Sequence, residues 1–341
     1  MGTPNPKNGM LSLDEIHEAN EYLHGCSDFH ETPLLTGCLS PLKSFLPEGV
    51  KELNLKLESV QVSGSFKMRG TLNQIRKLKE RYGDKLKEVP LVAYSGGNYG
   101  KAFAMVTKSA GLKGTVVMPS HAPQHRVDLI RSLGAHVDIQ KQCDLLSRVE
   151  YYVSNGYIPM DPFDDLSLLS GYGSITMELM KSLKEEPDIL LVPVGGGGLL
   201  GGVAAAARLL GWNNCKIYGV EPYTSNVMYL SFQAGKPVIL PDAKSVAVGT
   251  CAPTSGKITY PICRQYVTDI LLVSDADIVK TLKLAYDKLK LFMEPTGAVA
   301  LSALVANKVP EITAEQPKNV VALISGSNAT INELQACLNS H

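Results

Sequence analysis

The stretch SGSFKMRG, residues 63–70, places a lysine where an amine could take part in chemistry. Lys67 begins a predicted helix, and the positive amino end of a helix lowers the pKa of an amine placed there. Because only a neutral amine attacks a carbonyl, this position favours a nucleophilic lysine over an ordinary solvated one. The apolar positions of the helix are Phe66, Leu72, Ile75 and Leu78.

A polar turn, YSGGNYG at residues 94–100, follows the predicted strand LVAYS. Asn98 is predicted to begin the next helix, which Gly111 ends. The turn would gather several backbone N–H groups at a helix amino end, and such an arrangement binds a carboxylate or a phosphate. An ordinary tight turn with an asparagine cap is the alternative. The residues of this predicted anion site are Ser95, Gly96, Gly97 and Asn98.

Four consecutive glycines, residues 195–198, join a predicted strand to a predicted helix in VPVGGGGLLGGVAAAARLLG. Without side chains, their amides can close around a phosphate, and their entropic cost argues against a purely structural loop. The same glycines also fit the dinucleotide fingerprint, with Glu221 ending the next strand where a ribose-binding acid belongs. This segment alone therefore leaves a nicotinamide enzyme open.

A third strand, in LISGSNAT at residues 323–330, ends at Ser325 before a polar turn and a helix. The Ser325 hydroxyl is expected either to cap that helix or to meet a heteroaromatic nitrogen. Ligands of parallel sheets bind beyond the carboxyl ends of the strands, and all three turns follow such ends.

The elements that position these residues follow an alternating pattern. From residue 90 onward, short apolar runs alternate with stretches of helical period, which predicts an α/β fold with mostly parallel sheets. Polar or proline-rich stretches at 81–90 and 155–165 mark changes of region. They predict a large domain of residues 1–88 and 164–341, and a small inserted α/β domain of residues 89–163.

Composition excludes several classes of function. The chain has 341 residues, with 33 basic and 33 acidic side chains and 6% aromatic residues, so neither nucleic acid nor a membrane surface is an expected partner. No apolar run is long enough to span a membrane, and the beginning of the chain lacks a secretory signal. Seven scattered cysteines favour reduced thiols, and these features together predict a cytoplasmic protein.

Taken in order, SGSFKMRG, SGGN, GGGGLLGG and SGSN resemble the motifs of pyridoxal-phosphate enzymes of the tryptophan-synthase β type, known as fold type II. The resemblance extends from about residue 28 to the end, and it is greatest to L-serine/L-threonine dehydratases and serine racemases. The segments PFDDLSLLSGYGS, AGKPVILPDAKSVA and MEPTGAVALSAL strengthen it. It implies two domains with parallel twisted sheets flanked by helices, in a homodimer.

The resemblance also assigns roles. Lys67 would form the Schiff base with pyridoxal 5'-phosphate, Asn98 would bond its 3-hydroxyl, and Ser325 would meet its pyridine nitrogen. The remaining implied cofactor contacts are Phe66, Gly195, Gly196, Gly197, Gly198, Leu199 and Gly249, and the implied substrate-carboxylate contacts are Ser95, Gly96, Gly97 and Asn98. A nicotinamide enzyme would leave Lys67, Asn98 and Ser325 without a role.

The implied activity is β-elimination, which converts L-serine or L-threonine to a 2-oxo acid and ammonia in amino-acid catabolism. A serine racemase is the alternative. In serine racemases the second proton donor is a serine at the position directly after the one that matches Ser95, and this chain has Gly96 at that position. Tyr99 is the nearby residue that would have to replace that donor. A non-catalytic homologue that binds the cofactor or amino acids is a further alternative.

A cation is also implied. Relatives that bind a divalent cation use a glutamate and, six residues later, an aspartate; Glu221 is present, but Val227 replaces the aspartate. K⁺ or another monovalent cation held by Glu221 and the Ser225 carbonyl is therefore expected, because oxygen ligands suit hard cations. The alternative is that Glu221 only ends a strand.

Overall fold

Two β-sheets, each flanked by helices, make up residues 10–339, the part of the chain that the computed structural model describes. The strands are β1 Leu34–Leu35, β2 Val50–Leu57, β3 Leu91–Tyr94, β4 Gly114–Pro119, β5 His136–Gln140, β6 Ile158–Met160, β7 Ile189–Pro193, β8 Lys216–Pro222, β9 Asp269–Val273 and β10 Lys318–Ile324. The beginning of the chain, on which the expectation of no secretory signal rests, lies partly outside the described residues.

The helices surround and connect these strands. They are α1 Leu13–His24, α2 Leu39–Leu42, α3 Lys67–Tyr82, α4 Asn98–Ser109, α5 Gln124–Ser132, α6 Leu145–Ser154, α7 Leu166–Ser182, α8 Gly198–Leu209, α9 Val227–Ala234, α10 Thr259–Tyr266, α11 Asp275–Leu284, α12 Pro295–Val305 and α13 Ile331–Asn339. Short 3₁₀ helices cover Lys43–Phe45, Glu58–Val60, Gly83–Lys87, Gln142–Asp144 and Val248–Thr250, and a π-helical turn covers Ala285–Leu289. Within residues 10–339, no helix has both the length and the apolar character needed to cross a bilayer.

The larger sheet has the strand order β1-β2-β10-β7-β8-β9, and its strands are parallel except for β1. The smaller sheet has the order β5-β4-β3-β6 and is parallel throughout. This confirms the predicted α/β class and the apolar runs read as strands. Residues 91–160 supply every strand of the smaller sheet. The proposed domain bounds, 89–163 within 1–88 and 164–341, stay a prediction.

The larger sheet is buried on both faces. Along β7, Leu190 and Val192 pack with α7 and α8, whereas Ile189 and Leu191 pack with α12 on the opposite face. This arrangement explains why the strand is apolar throughout instead of alternating with polar residues. Polar turns follow the ends of β7 and β10 in this sheet and the end of β3 in the smaller sheet.

Three of those turns stand where the sequence predicts them. Asn98 begins α4 directly after β3, the glycines end at Gly198 where α8 begins, and Ser325 follows the last residue of β10. Lys67 begins α3, as predicted. The backbone therefore places these strand ends and helix starts at the residues expected from the sequence.

Candidate active site

The turns after β3 and β10 meet at the amino end of α3. The amide of Phe66 donates to the carbonyl of Ser325 over 3.1 Å. The Asn328 side-chain amide donates to the carbonyl of Ser63 and to Oδ1 of Asn98, each over 2.8 Å. The structure thus brings the segments of Lys67, Asn98 and Ser325 together, although they are distant in sequence.

The amine of Lys67 lies among aromatic rings. Its Nζ is 5.0, 5.5 and 6.0 Å from the ring centres of Phe66, Tyr99 and Tyr172, and it donates to the carbonyl of Pro162 over 2.5 Å. Burial of the amine lowers the pKa of Lys67 to about 8, although the charge of Asp161 opposes this shift. The predicted shift is present, but desolvation is its main cause rather than the helix amino end.

A lowered pKa makes the reactivity of Lys67 measurable. In the cofactor-free protein we expect acetylation of Lys67 by acetic anhydride to reach half of its maximal rate near pH 8. Burial disfavours the charged form, so the amine loses its proton at a lower pH than the roughly 10.4 of a solvated lysine. Mass spectrometry of peptides labelled over a pH series measures this rate, with the exposed Lys79 of the same helix as internal reference. A Lys67 rate that still rises steeply above pH 10 would contradict the assignment.

The glycine loop between β7 and α8 excludes side chains by its packing. A Cβ on Gly196 would lie 2.2 Å from a ring carbon of Phe163, and one on Gly198 would lie 2.7 Å from the Phe163 carbonyl. Gly197 adopts φ +96°, a conformation that favours glycine. The carbonyl of Gly196 accepts from the Thr259 hydroxyl over 2.6 Å, which fixes the loop against α10.

The amide groups of this loop are available to a ligand. Within residues 10–339, none of the backbone N–H groups of residues 195–199 donates to a protein acceptor. The helical bonds of α8 begin with Gly201, whose amide donates to Gly197 over 2.8 Å. Unpaired amides at a helix amino end form an anion site, and a phosphate has the charge and the acceptors that match it.

The turn after β3 is more constrained than the sequence predicts. The amide of Ser95 donates to the carbonyl of Val117 over 3.1 Å, so it continues the sheet and is not free for a substrate. The hydroxyl of Ser95 accepts from the amide of Gly97 over 3.2 Å. The amides of Gly96 and Asn98 have no acceptor in the described part of the chain, so they are the free donors of this turn.

Ser325 and Gly249 are connected through one threonine. The hydroxyl of Ser325 donates to the carbonyl of Thr296 over 3.3 Å, and the amide of Gly249 donates to the Thr296 hydroxyl over 3.0 Å. Helix α13 is capped by Thr330, whose hydroxyl accepts from the amide of Glu333 over 3.1 Å. The alternative in which Ser325 caps that helix is therefore wrong.

The residues expected to hold a cation have protein partners. The Glu221 carboxylate accepts from the amides of Met228 and Tyr229, at the amino end of α9, over 2.9 Å each. Burial raises the pKa of Glu221 to about 8, although these two hydrogen bonds oppose the shift. The Ser225 hydroxyl donates to the carbonyl of Thr250 over 3.0 Å. Residues 10–339 contain no cluster of three His, Cys, Asp or Glu side chains suited to a metal, and the cation stays a prediction.

Sequence reasoning missed two polar residues beside Asn98. Glu294 accepts from the Asn98 side-chain amide over 2.5 Å, and Asn328 donates to its oxygen. Burial raises the pKa of Glu294. The signal in the sequence is a glutamate directly before Pro295, the first residue of the apolar helix α12.

The donor set fits pyridoxal phosphate. A phosphate matches the free amides of residues 195–199, and an aldehyde matches the desolvated amine of Lys67. Ser325 is 1% exposed, and its hydroxyl donates only to a backbone carbonyl, so the hydroxyl can donate to a ring nitrogen instead.

Comparisons with known proteins agree with this fit. The family model described as "Pyridoxal-phosphate dependent enzyme" matches residues 31–326. The chain is 32% identical to a serine racemase of Oryza sativa subsp. indica, over 94% of this chain and 92% of the relative. It is also 32% identical to an L-threo-3-hydroxyaspartate ammonia-lyase of Saccharomyces cerevisiae, over 93% and 91%. The solved structure of threonine deaminase isoform 2 from Solanum lycopersicum matches with a TM-score of 0.83 and 28% identity, over 97% of this chain and 89% of that structure.

Proposed function

Because the chain belongs to the family of pyridoxal-phosphate dependent enzymes, we propose that it is an ammonia-lyase acting on L-serine, L-threonine or both. The reaction removes the β-hydroxyl and the amino group, and its products are a 2-oxo acid and ammonia. Relatives named as ammonia-lyases, among them the yeast protein that matches over 93% of this chain, support the reaction class.

The residues described above would hold the cofactor. Lys67 would bind it covalently through Nζ, the amides of residues 195–199 would bind its phosphate, and Asn98 and Ser325 would bond its ring. Phe66 and Gly249 would flank it. When bound, pyridoxal phosphate supplies an electron sink for negative charge at the α-carbon of an amino acid.

The protein supplies binding and proton transfer. The free amides of Gly96 and Asn98, with the hydroxyl of Ser95, would bind the substrate carboxylate. The Lys67 amine, once neutral, would take the α-proton at Nζ as a general base. Its pKa of about 8 lies close to physiological pH, where a general base is most effective. Net conversion of L-serine gives pyruvate and ammonia, and that of L-threonine gives 2-oxobutanoate and ammonia.

The observation that favours elimination over racemisation is that residue 96 is a glycine, which carries no side chain that could donate a proton. Racemisation needs a second proton donor on the opposite face, and Gly96 has no side chain to provide it. Tyr99 does not replace it, because its hydroxyl donates to Gln74 over 2.8 Å and its ring lies 5.5 Å from the Lys67 amine. Burial also raises the pKa of Tyr99 well above its usual value.

Serine racemase is the second candidate, and the 32% identity to the rice protein of that name favours it. The presence of Lys67, Asn98 and Ser325 in one site argues against a non-catalytic homologue.

We further propose that the protein is a cytoplasmic homodimer, that residues 89–163 form a small domain, and that a monovalent cation binds near Glu221.

Incubation of the purified protein and pyridoxal phosphate with L-serine, L-threonine, L-threo-3-hydroxyaspartate or D-serine tests the function. We expect 2-oxo acid and ammonia in equal amounts from the L-substrates, because each turnover releases one molecule of each. Chiral chromatography of the remaining serine is expected to show no D-serine. Conversion of L-serine to D-serine would establish the racemase instead. Bound cofactor without any product would indicate either a different substrate or the non-catalytic homologue.

A further inference from the structure

The side chain of Asn98 belongs to a chain of hydrogen bonds that has a fixed direction. Lys101 Nζ donates to Asn328 Oδ1 over 2.7 Å, and Asn328 Nδ2 donates to Asn98 Oδ1 over 2.8 Å. Asn98 Nδ2 in turn donates to Glu294 Oε1 over 2.5 Å. The chain therefore runs from a lysine through two amides to a carboxylate.

The lysine end determines the orientation of both amides. An ammonium group only donates hydrogen bonds, so Asn328 must turn its oxygen toward Lys101 and its nitrogen toward Asn98. The oxygen of Asn98 accepts from that nitrogen, so Asn98 must turn its own nitrogen toward Glu294, whose carboxyl oxygen accepts. Reversal of either amide would place two donors or two acceptors against each other.

Glu294 and Asn328 are held in place by backbone groups. The amide of Glu294 donates to the carbonyl of Gly326 over 3.1 Å. A Cβ on Gly326 would lie 2.4 Å from Glu294 Oε1, so the carboxylate packs directly on this glycine. The second hydrogen of Asn328 Nδ2 is used by the carbonyl of Ser63, over 2.8 Å. One Nδ2 hydrogen of Asn98 is left without a protein acceptor in the described residues.

We propose that Glu294, Asn328 and Lys101 are positioning residues that make Asn98 present an N–H group, not its carbonyl oxygen, to the cofactor. The ligand group that this arrangement selects is an acceptor, as the 3-oxygen of pyridoxal phosphate is. The inference rests on the proposed function, because it takes Asn98 to be a contact of that oxygen.

A double-mutant cycle on cofactor affinity tests the proposal. We expect Glu294→Ala to weaken binding of pyridoxal phosphate to the cofactor-free protein about tenfold, the scale of one hydrogen bond to a charged group. In an Asn98→Ala background, Glu294→Ala should have no further effect, because Glu294 acts through Asn98. Glu294→Gln keeps an acceptor for Asn98 and should stay within about threefold of the natural protein. Absorbance titration with pyridoxal phosphate measures each dissociation constant.

Lys101→Met provides an independent test from the other end of the chain of hydrogen bonds. It should weaken cofactor binding in the natural background and have no effect in the Asn98→Ala background. Glu311→Ala is the matched control, since Glu311 bonds Tyr218 and not Asn98, and its cofactor affinity should be unchanged. Thermal unfolding of each cofactor-free variant reports whether the fold is intact.

Either of two results would overturn the proposal. The first is that Glu294→Ala weakens binding of pyridoxal phosphate equally in the natural protein and in Asn98→Ala. The second is that Glu294→Ala and Lys101→Met both leave this affinity unchanged. If the natural protein does not bind pyridoxal phosphate, the proposed function fails, and this outcome is visible before any variant is compared. If Glu294→Ala does not fold, the Glu294→Gln and Lys101→Met comparisons decide the proposal.

Discussion

Replacement of Lys67 by alanine is expected to abolish turnover of L-serine and L-threonine, with a fall of at least about 10³-fold. The amine is the proposed covalent anchor of the cofactor and the proposed general base. It is also the amine that lies among the rings of Phe66, Tyr99 and Tyr172. The variant should also lose the absorbance of covalently held pyridoxal phosphate. Steady-state release of 2-oxo acid and an absorption spectrum measure the two effects separately.

Lys79→Ala is the matched control for Lys67→Ala. Lys79 lies on the same helix but is exposed, so its replacement should leave both the spectrum and the turnover unchanged. A Lys67→Ala protein that keeps a tenth or more of the activity would contradict both roles. Loss of turnover with an unchanged spectrum would keep Lys67 as the base and remove it as the anchor.

The sequence predicts the framework of this site well, because local features determine it. Strands buried on both faces are apolar throughout, and polar turns must follow them, so the positions of Asn98, Gly198 and Ser325 could be read from the pattern. The segment before residue 90 is predicted less completely from sequence. In β2, apolar and polar residues alternate only from Leu53 to Leu57, and no strand is predicted there, although β2 pairs with β10 beside the site.

The contacts of these residues could not be predicted, because they depend on segments far apart in sequence. Glu294 is 196 residues from Asn98, and no local pattern relates the two. The sequence predicts that the amide of Ser95 binds a ligand, but in the structure this amide donates to the carbonyl of Val117 in β4. Likewise, a helix amino end explains a lowered lysine pKa from sequence alone, whereas the larger cause, burial among rings, requires the tertiary structure.

Arg69→Met is expected to lower the free energy of unfolding by about 3–5 kcal/mol, the largest stability effect we predict. Arg69, two residues after Lys67, is fully buried. It forms ion pairs with Glu58 over 2.8 Å and with Glu178 over 2.6 Å. Lys56 also bonds Glu178, over 2.5 Å, so two positive and two negative charges balance in the interior. Loss of Arg69 leaves the buried carboxylate of Glu58 without a positively charged partner, which costs more than the ion pair itself contributes.

Arg76→Met, on the same helix, is the matched control, because Arg76 pairs with Glu18 and Glu80, which are about half exposed. Its effect should stay below about 1 kcal/mol, as for most surface ion pairs. Urea unfolding of the cofactor-free proteins measures both changes. If the two variants lower the free energy of unfolding equally, the buried charges do not stabilise the amino end of α3.

The destabilisation by Arg69→Met should depend on pH in a definite direction. Although burial opposes it, the charges of Arg69 and Lys56 hold the pKa of Glu178 below its usual value. A carboxylate whose pKa is lowered on folding contributes stability above its unfolded pKa, about 4.3, and this contribution is lost as the pH falls through the folded pKa. The difference between the natural protein and Arg69→Met should therefore be full at pH 7 and shrink below about pH 4. Because Glu178 lies on α7 and Arg69 in the first turns of α3, the same titration should loosen the end of the helix that carries Lys67.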